Sequence, residues 1–103
     1  MNSVLDNSVS SSTEVYINEV ANFFDQLVPV ATDDELFASG YLRGHFDLIV
    51  GTLQVSGAAF TAKDVINQVN TSLQQAISQG ELDKTDQASV ENIWLQVQKL
   101  ASE

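Results

Sequence analysis

The sequence predicts an all-α protein, an antiparallel four-helix bundle in which the second helix is the most buried. Three observations carry that expectation. Apolar residues recur at three- and four-residue intervals along four segments, which is the spacing of helices with one buried face. Residues that start and stop helices punctuate those segments. The connections between them are short, so consecutive helices must run in opposite directions. With 103 residues and no alternating strand pattern, one domain is expected. A chain of this size buries roughly two-thirds of its unfolded surface, enough for a core without staples.

Residues 1–11 are rich in Ser and Asn and lack apolar periodicity, so they are expected to form a disordered tail. Residues 12–103 then form the single helical domain. The first helix starts near Ser12 or Thr13. Tyr16, Val20, Phe23, Phe24 and Leu27 mark its buried face, while Glu14, Asn18, Asn22 and Asp25 lie opposite. Pro29 ends it, because the residue before a proline is pushed out of the helical region.

The second helix opens on Thr32-Asp-Asp-Glu35, where Thr32 and Glu35 form a capping box and the acids suit the positive end of the helix dipole. Leu36, Phe37, Ala38, Leu42, Phe46, Leu48, Ile49, Val50 and Leu53 then cover more than one face, the pattern of a largely buried helix. Gly57 breaks the chain. Thr61 and Asp64 make a second capping box for the third helix, with Phe60 and Val65 placed as a hydrophobic staple. Its stripe is Ala62, Val65, Ile66, Val69, Leu73, Ala76 and Ile77, and Gly80 is positioned to close it in the left-handed conformation. Asp83 caps the last helix, whose stripe is Val90, Ile93, Trp94, Val97, Leu100 and Ala101. Leu95 falls outside that stripe, exposed or at an edge.

Composition excludes several classes. The net charge is −10, and the cations Arg43, Lys63, Lys84 and Lys99 are scattered. Nucleic-acid binders need clustered cations, and an anionic membrane surface would repel the chain, so neither partner is expected. Cysteine is absent, which removes disulfides, thiol nucleophiles and thiolate zinc sites. Neither a signal-peptide pattern nor an apolar run near the roughly 20 residues of a bilayer span is found, and a cytoplasmic protein is expected. One histidine cannot furnish a four-helix di-iron site, and consecutive acids at 33–35 point in three directions. No metal and no cofactor are expected, and an enzyme is the less favoured reading.

The unusual residues crowd into the second helix. At about 100° per residue, Gly40, Gly44, Asp47 and Gly51 fall on one line. Each glycine costs about 1 kcal/mol against alanine inside a helix, so something is expected to approach the backbone closely. The favoured candidate is a neighbouring helix of the same bundle; a ligand or second subunit is the alternative. Tyr41 and His45 are one turn apart and share a face. His45 is read as a core or boundary histidine, with a general base or ligand contact as the functional alternative. Arg43 lies about 160° round from His45, one turn before Asp47, and if buried must find a carboxylate elsewhere.

The segment Asp34-Glu-Leu-Phe-Ala-Ser-Gly-Tyr-Leu-Arg-Gly-His45 resembles the signature of the YfcL family, with a weaker match at Gly80-Glu-Leu82 and Asp86-Gln-Ala88. The resemblance spans roughly residues 14 to 100 and leaves out the Ser-rich tail. It implies a small bacterial, cytoplasmic protein and supplies no activity, cofactor or catalytic residue.

The function is therefore open among three readings. The first is a protein-binding or adaptor module, or a homodimer through one helix face, using Gly40, Gly44, Tyr41, Arg43 and His45. The second is a ligand-binding protein or enzyme centred on Tyr41, Arg43 and His45. The third makes the motif purely structural, in which case Gly44→Leu would overpack a helix crossing.

Overall fold

A computed structural model describes residues 11–102. The expected tail lies outside the described residues except for Ser11, where the first helix begins. Four α-helices follow in order: α1 (Ser11–Leu27), α2 (Asp33–Ser56), α3 (Ala62–Ser78) and α4 (Lys84–Lys99). They form the antiparallel bundle that the periodicity predicts, with no strand among the described residues.

Local chemistry sets the boundaries. Pro29 lies in a short 3-10 turn, Val28–Val30, that terminates α1. Both capping boxes form: Thr32 with Glu35 at α2, and Thr61 with Asp64 at α3. In each, the threonine hydroxyl accepts from the backbone amide of the acid three residues on, and that acid's carboxylate accepts from the threonine amide. Asp83 caps α4 by accepting from the amide of Asp86 at 2.8 Å. Gly57 and Gly80 adopt positive φ after α2 and α3, where a side chain would be strained.

The core is built from the expected stripes. Tyr16, Val20 and Phe24 of α1 meet Leu42 and Phe46 of α2, Val65, Val69 and Leu73 of α3, and Val90, Ile93, Trp94 and Val97 of α4. Phe60 and Leu82, in the connections, close the two ends. The polar ends of the buried aromatics are satisfied. Tyr16 donates its hydroxyl hydrogen bond to the Val97 carbonyl at 3.3 Å, and Trp94 Nε1 donates to Asn70 Oδ1 at 2.7 Å. Tyr16 also meets Phe46 edge to face, with ring centroids 5.9 Å apart.

α2 is the central helix, packing chiefly on α4, next on α3, and less on α1. Its inner side carries Ala38, Ser39, Leu42, Phe46 and Val50, all buried. Its outer side is open. Leu36, Phe37, Leu48 and Val55, which belong to its wide apolar arc, are exposed, Leu48 at 70% and Val55 at 88%. Three neighbours cannot surround a helix whose apolar residues occupy most of its circumference, so part of the arc remains uncovered.

Candidate functional site

The glycine line lies on that open side. Gly40 and Gly44 are exposed and Gly51 is half-buried. A Cβ placed on any of the three would meet nothing within 4 Å. This corrects the expectation that a neighbouring helix of the bundle crosses here. The inner face is set by Ala38, Ser39, Leu42, Phe46 and Val50, and at about 100° per residue the glycines fall on the other side of the helix, roughly 150° from its centre. The overpacking expected for Gly44→Leu fails for the same reason.

Around the glycines the helix presents a continuous surface. Phe37, Leu48 and Val55 stand along one edge of the line, and Asp47 on the other. Two shallow depressions follow it. One, of about 430 Å³, is lined by Gly40, Tyr41, Gly44, His45, Leu48 and Ser72. The second, of about 400 Å³, is lined by Asp47, Leu48, Gly51, Thr52 and Val55. Leu48 stands between them.

Tyr41 and His45 form one wall. Their rings lie 4.7 Å apart between centroids and are tilted by 48°, and Phe37 stacks on the other side of Tyr41 at 6.0 Å. The Tyr41 hydroxyl donates to Glu81 Oε1 at 2.7 Å, which ties α2 to the connection before α4. Burial, and then the hydrogen bond and negative charge of Glu81, push the Tyr41 hydroxyl up to about 12. His45 is half-buried, with Nδ1 2.7 Å from Ser72 Oγ of α3; which group donates follows the imidazole tautomer. His45 is thus a boundary histidine that pins α2 to α3.

Arg43 does not join this wall. Its Nη1 lies 3.0 Å from Asp25 Oδ1 of α1 and its Nε 3.8 Å from Asp47. The guanidinium also sits 5.6 Å from the centroid of the Phe24 ring. The carboxylate that a half-buried arginine requires comes from α1. Of the expected residues, Gly40, Gly44, Tyr41 and His45 therefore share one surface, and Arg43 fastens α2 to α1 on the other flank.

Sequence reasoning missed Ser72 and Glu81, the partners of His45 and Tyr41, and the exposure of Phe37 and Leu48. Nothing local marks the first two, because their partners are 27 and 40 positions away. The exposed pair carried a signal: apolar residues on too wide an arc for three neighbours to cover.

The arrangement has little catalytic capacity. A serine and a histidine at hydrogen-bond distance resemble half of a nucleophilic pair. Ser72, however, sits inside α3, where backbone amides are bonded to carbonyls four residues back and are unavailable to hold an oxyanion. No described side chain hydrogen-bonds the other imidazole nitrogen. Among the described residues no group of His, Asp and Glu is arranged to hold a metal ion. A separate cleft of about 430 Å³ at one end of the bundle includes Thr13, Tyr16, Thr61 and Lys63 in its lining. Its buried hydroxyls, Thr13 and Tyr16, are turned inward to the Phe60 and Val97 carbonyls.

The molecule is thus of a definite class, a small acidic helical bundle with one glycine-lined helix face left open. The chain belongs to the family described as YfcL protein, whose model matches residues 14–99, the span of the four helices. It is similar to the uncharacterized protein YfcL of Escherichia coli (strain K12), 43% identical over 86 residues that cover 84% of this chain and 92% of that protein. No solved structure matches the chain. No helix among the described residues is long and apolar enough to cross a membrane.

Proposed function

We propose that the chain is a small protein-binding module of the bacterial cytoplasm that receives its partner on the outward face of α2. The observation that carries this reading is the open glycine line. Gly40, Gly44 and Gly51 each cost the helix about 1 kcal/mol against alanine, and the bundle gains no close contact in return. Their effect is to lower the surface so that a partner's backbone can approach, beside the exposed side chains of Phe37, Leu48 and Val55. Exposed apolar residues gathered on one surface mark interaction sites more often than isolated ones do. A net charge of −10 argues against a nucleic-acid partner. The weak catalytic geometry around His45 argues against an enzyme.

The test is capture from bacterial lysate by the wild-type chain and two variants, each checked for helicity by circular dichroism. Leu48→Glu places a charge at the centre of the face. Leu95→Glu places one on an exposed leucine of α4, away from it. A protein retained by wild type and Leu95→Glu, and lost with Leu48→Glu, is the expected result. Identical recovery by all three would refute the reading.

A further inference from the structure

We infer that the occupant of the α2 face is a basic amphipathic helix of another protein, lying along the glycine groove with lysines or arginines over its acidic end. This rests on the reading of α2 as a binding face and adds the chemistry of the partner. The dimensions fit a helix. From Phe37 to Val55 the face runs for about 27 Å, the length of a helical segment of roughly 18 residues. Its floor is glycine backbone, and its apolar edge, Phe37, Leu48 and Val55, matches the one-sided stripe of an amphipathic helix.

Charge selects among such helices. Among the residues lining the two depressions, Asp47 carries the sole formal charge. Carboxylates gather where the groove reaches the start of α2. Asp33 and Asp34 are in the first turn of α2, Glu81 holds Tyr41 in the groove wall, and Asp83 and Asp86 open α4. Of these, Asp34 and Asp83 both act on Asp86. Asp86 is held above the usual carboxylate range by desolvation and by the charges of Asp83 and Asp34. Arg43 is engaged by Asp25 on the far flank and lies 3.8 Å from Asp47, so it offsets Asp47 in part and not the carboxylates at the starts of α2 and α4. A second copy of the chain would bring another net charge of −10 to the same face and supply no cationic cluster to meet the acids. A basic helix relieves the crowding that a second copy would increase.

The probes are two synthetic amphipathic peptides of about 18 residues with the same leucine face, one flanked by Lys and Arg and one by Glu. Each is titrated into the full ¹⁵N-labelled chain and read by amide chemical shifts, with sedimentation on the chain alone. The basic peptide should shift the amides of Phe37, Gly40, Gly44, Leu48 and Gly51 and bind at least about tenfold more tightly than the acidic one, with affinity falling as salt rises. Gly44→Leu, which raises the groove floor, should weaken it about tenfold or more, and Asp34→Lys with Asp86→Lys should remove the preference for the basic peptide. Thermal melts confirm that each variant is folded. Equal binding of both peptides, binding elsewhere on the bundle, no binding of either, or a dimer formed through this face would each overturn the inference. Lysate capture lost with Leu48→Glu would leave the binding-module reading standing in every one of those cases except dimerisation.

Discussion

Single side chains in this protein do two kinds of work, and their ionisation separates them. Burial, and then the bond to the Glu81 carboxylate, favour the neutral form of Tyr41 in the fold. Because its folded value lies near 12 against an ordinary 10.0, its contribution to stability is complete below pH 10 and is lost as pH rises through 12. An ultraviolet titration should therefore show little phenolate at pH 10 in the native chain, since burial raises Tyr16 as well. A full two-tyrosine step at that pH in a folded sample would contradict the Tyr41–Glu81 bond and the burial of Tyr16. Asp86 works in the opposite sense. Its raised value means that the fold disfavours the charged carboxylate, a penalty present above the folded value and relieved as pH falls through it. Asp86→Asn should raise the melting midpoint at neutral pH, and the gain should shrink on acidification; a pH-independent change would point to capping instead. Tyr41 finds its partner Glu81 far away in sequence, whereas Asp86 is acted on by Asp83, three residues before it, and then by Asp34 of α2.

At the scale of the element, α2 is held from three sides. Arg43 reaches Asp25 of α1, His45 reaches Ser72 of α3, and the inner apolar residues pack chiefly on α4. Phe46, among the buried residues of that inner face, is 2% exposed and meets Tyr16 of α1 edge to face. Phe46→Ala should cost about 3–5 kcal/mol, a large share of the roughly 5–15 kcal/mol that domains possess, and chemical denaturation should show it as a lower midpoint. A loss below about 1 kcal/mol would mean that the core around Phe46 is looser than described. Helix boundaries were legible in the sequence because caps act within three residues, as Thr32 with Glu35 and Thr61 with Asp64 demonstrate. The stripes of α1, α3 and α4 were legible because their apolar residues occupy one arc. The environment of the glycines was not. Periodicity places Gly40, Gly44 and Gly51 on one line, but what that line faces depends on where three other helices settle. The same limit hid Ser72 and Glu81, which only the packing brings to the wall of the site.

For the whole molecule, charge and shape point the same way. Fourteen acids and four Lys and Arg residues in 103 residues make close approach of two copies unfavourable. The chain should sediment as a monomer at low ionic strength, with any association appearing only as salt screens the repulsion. A stable dimer at low salt would contradict this. The bundle uses α2 as its centre and yet leaves one side of it bare, so the central claim is that this side belongs to a partner and not to the fold. The most direct test replaces Gly40, Gly44 and Gly51 together by alanine and measures unfolding. Three open helical glycines should yield a gain of roughly 2–3 kcal/mol and a higher melting midpoint. A lower midpoint would mean that something within the bundle needs those glycines, and the face would not be the open surface described.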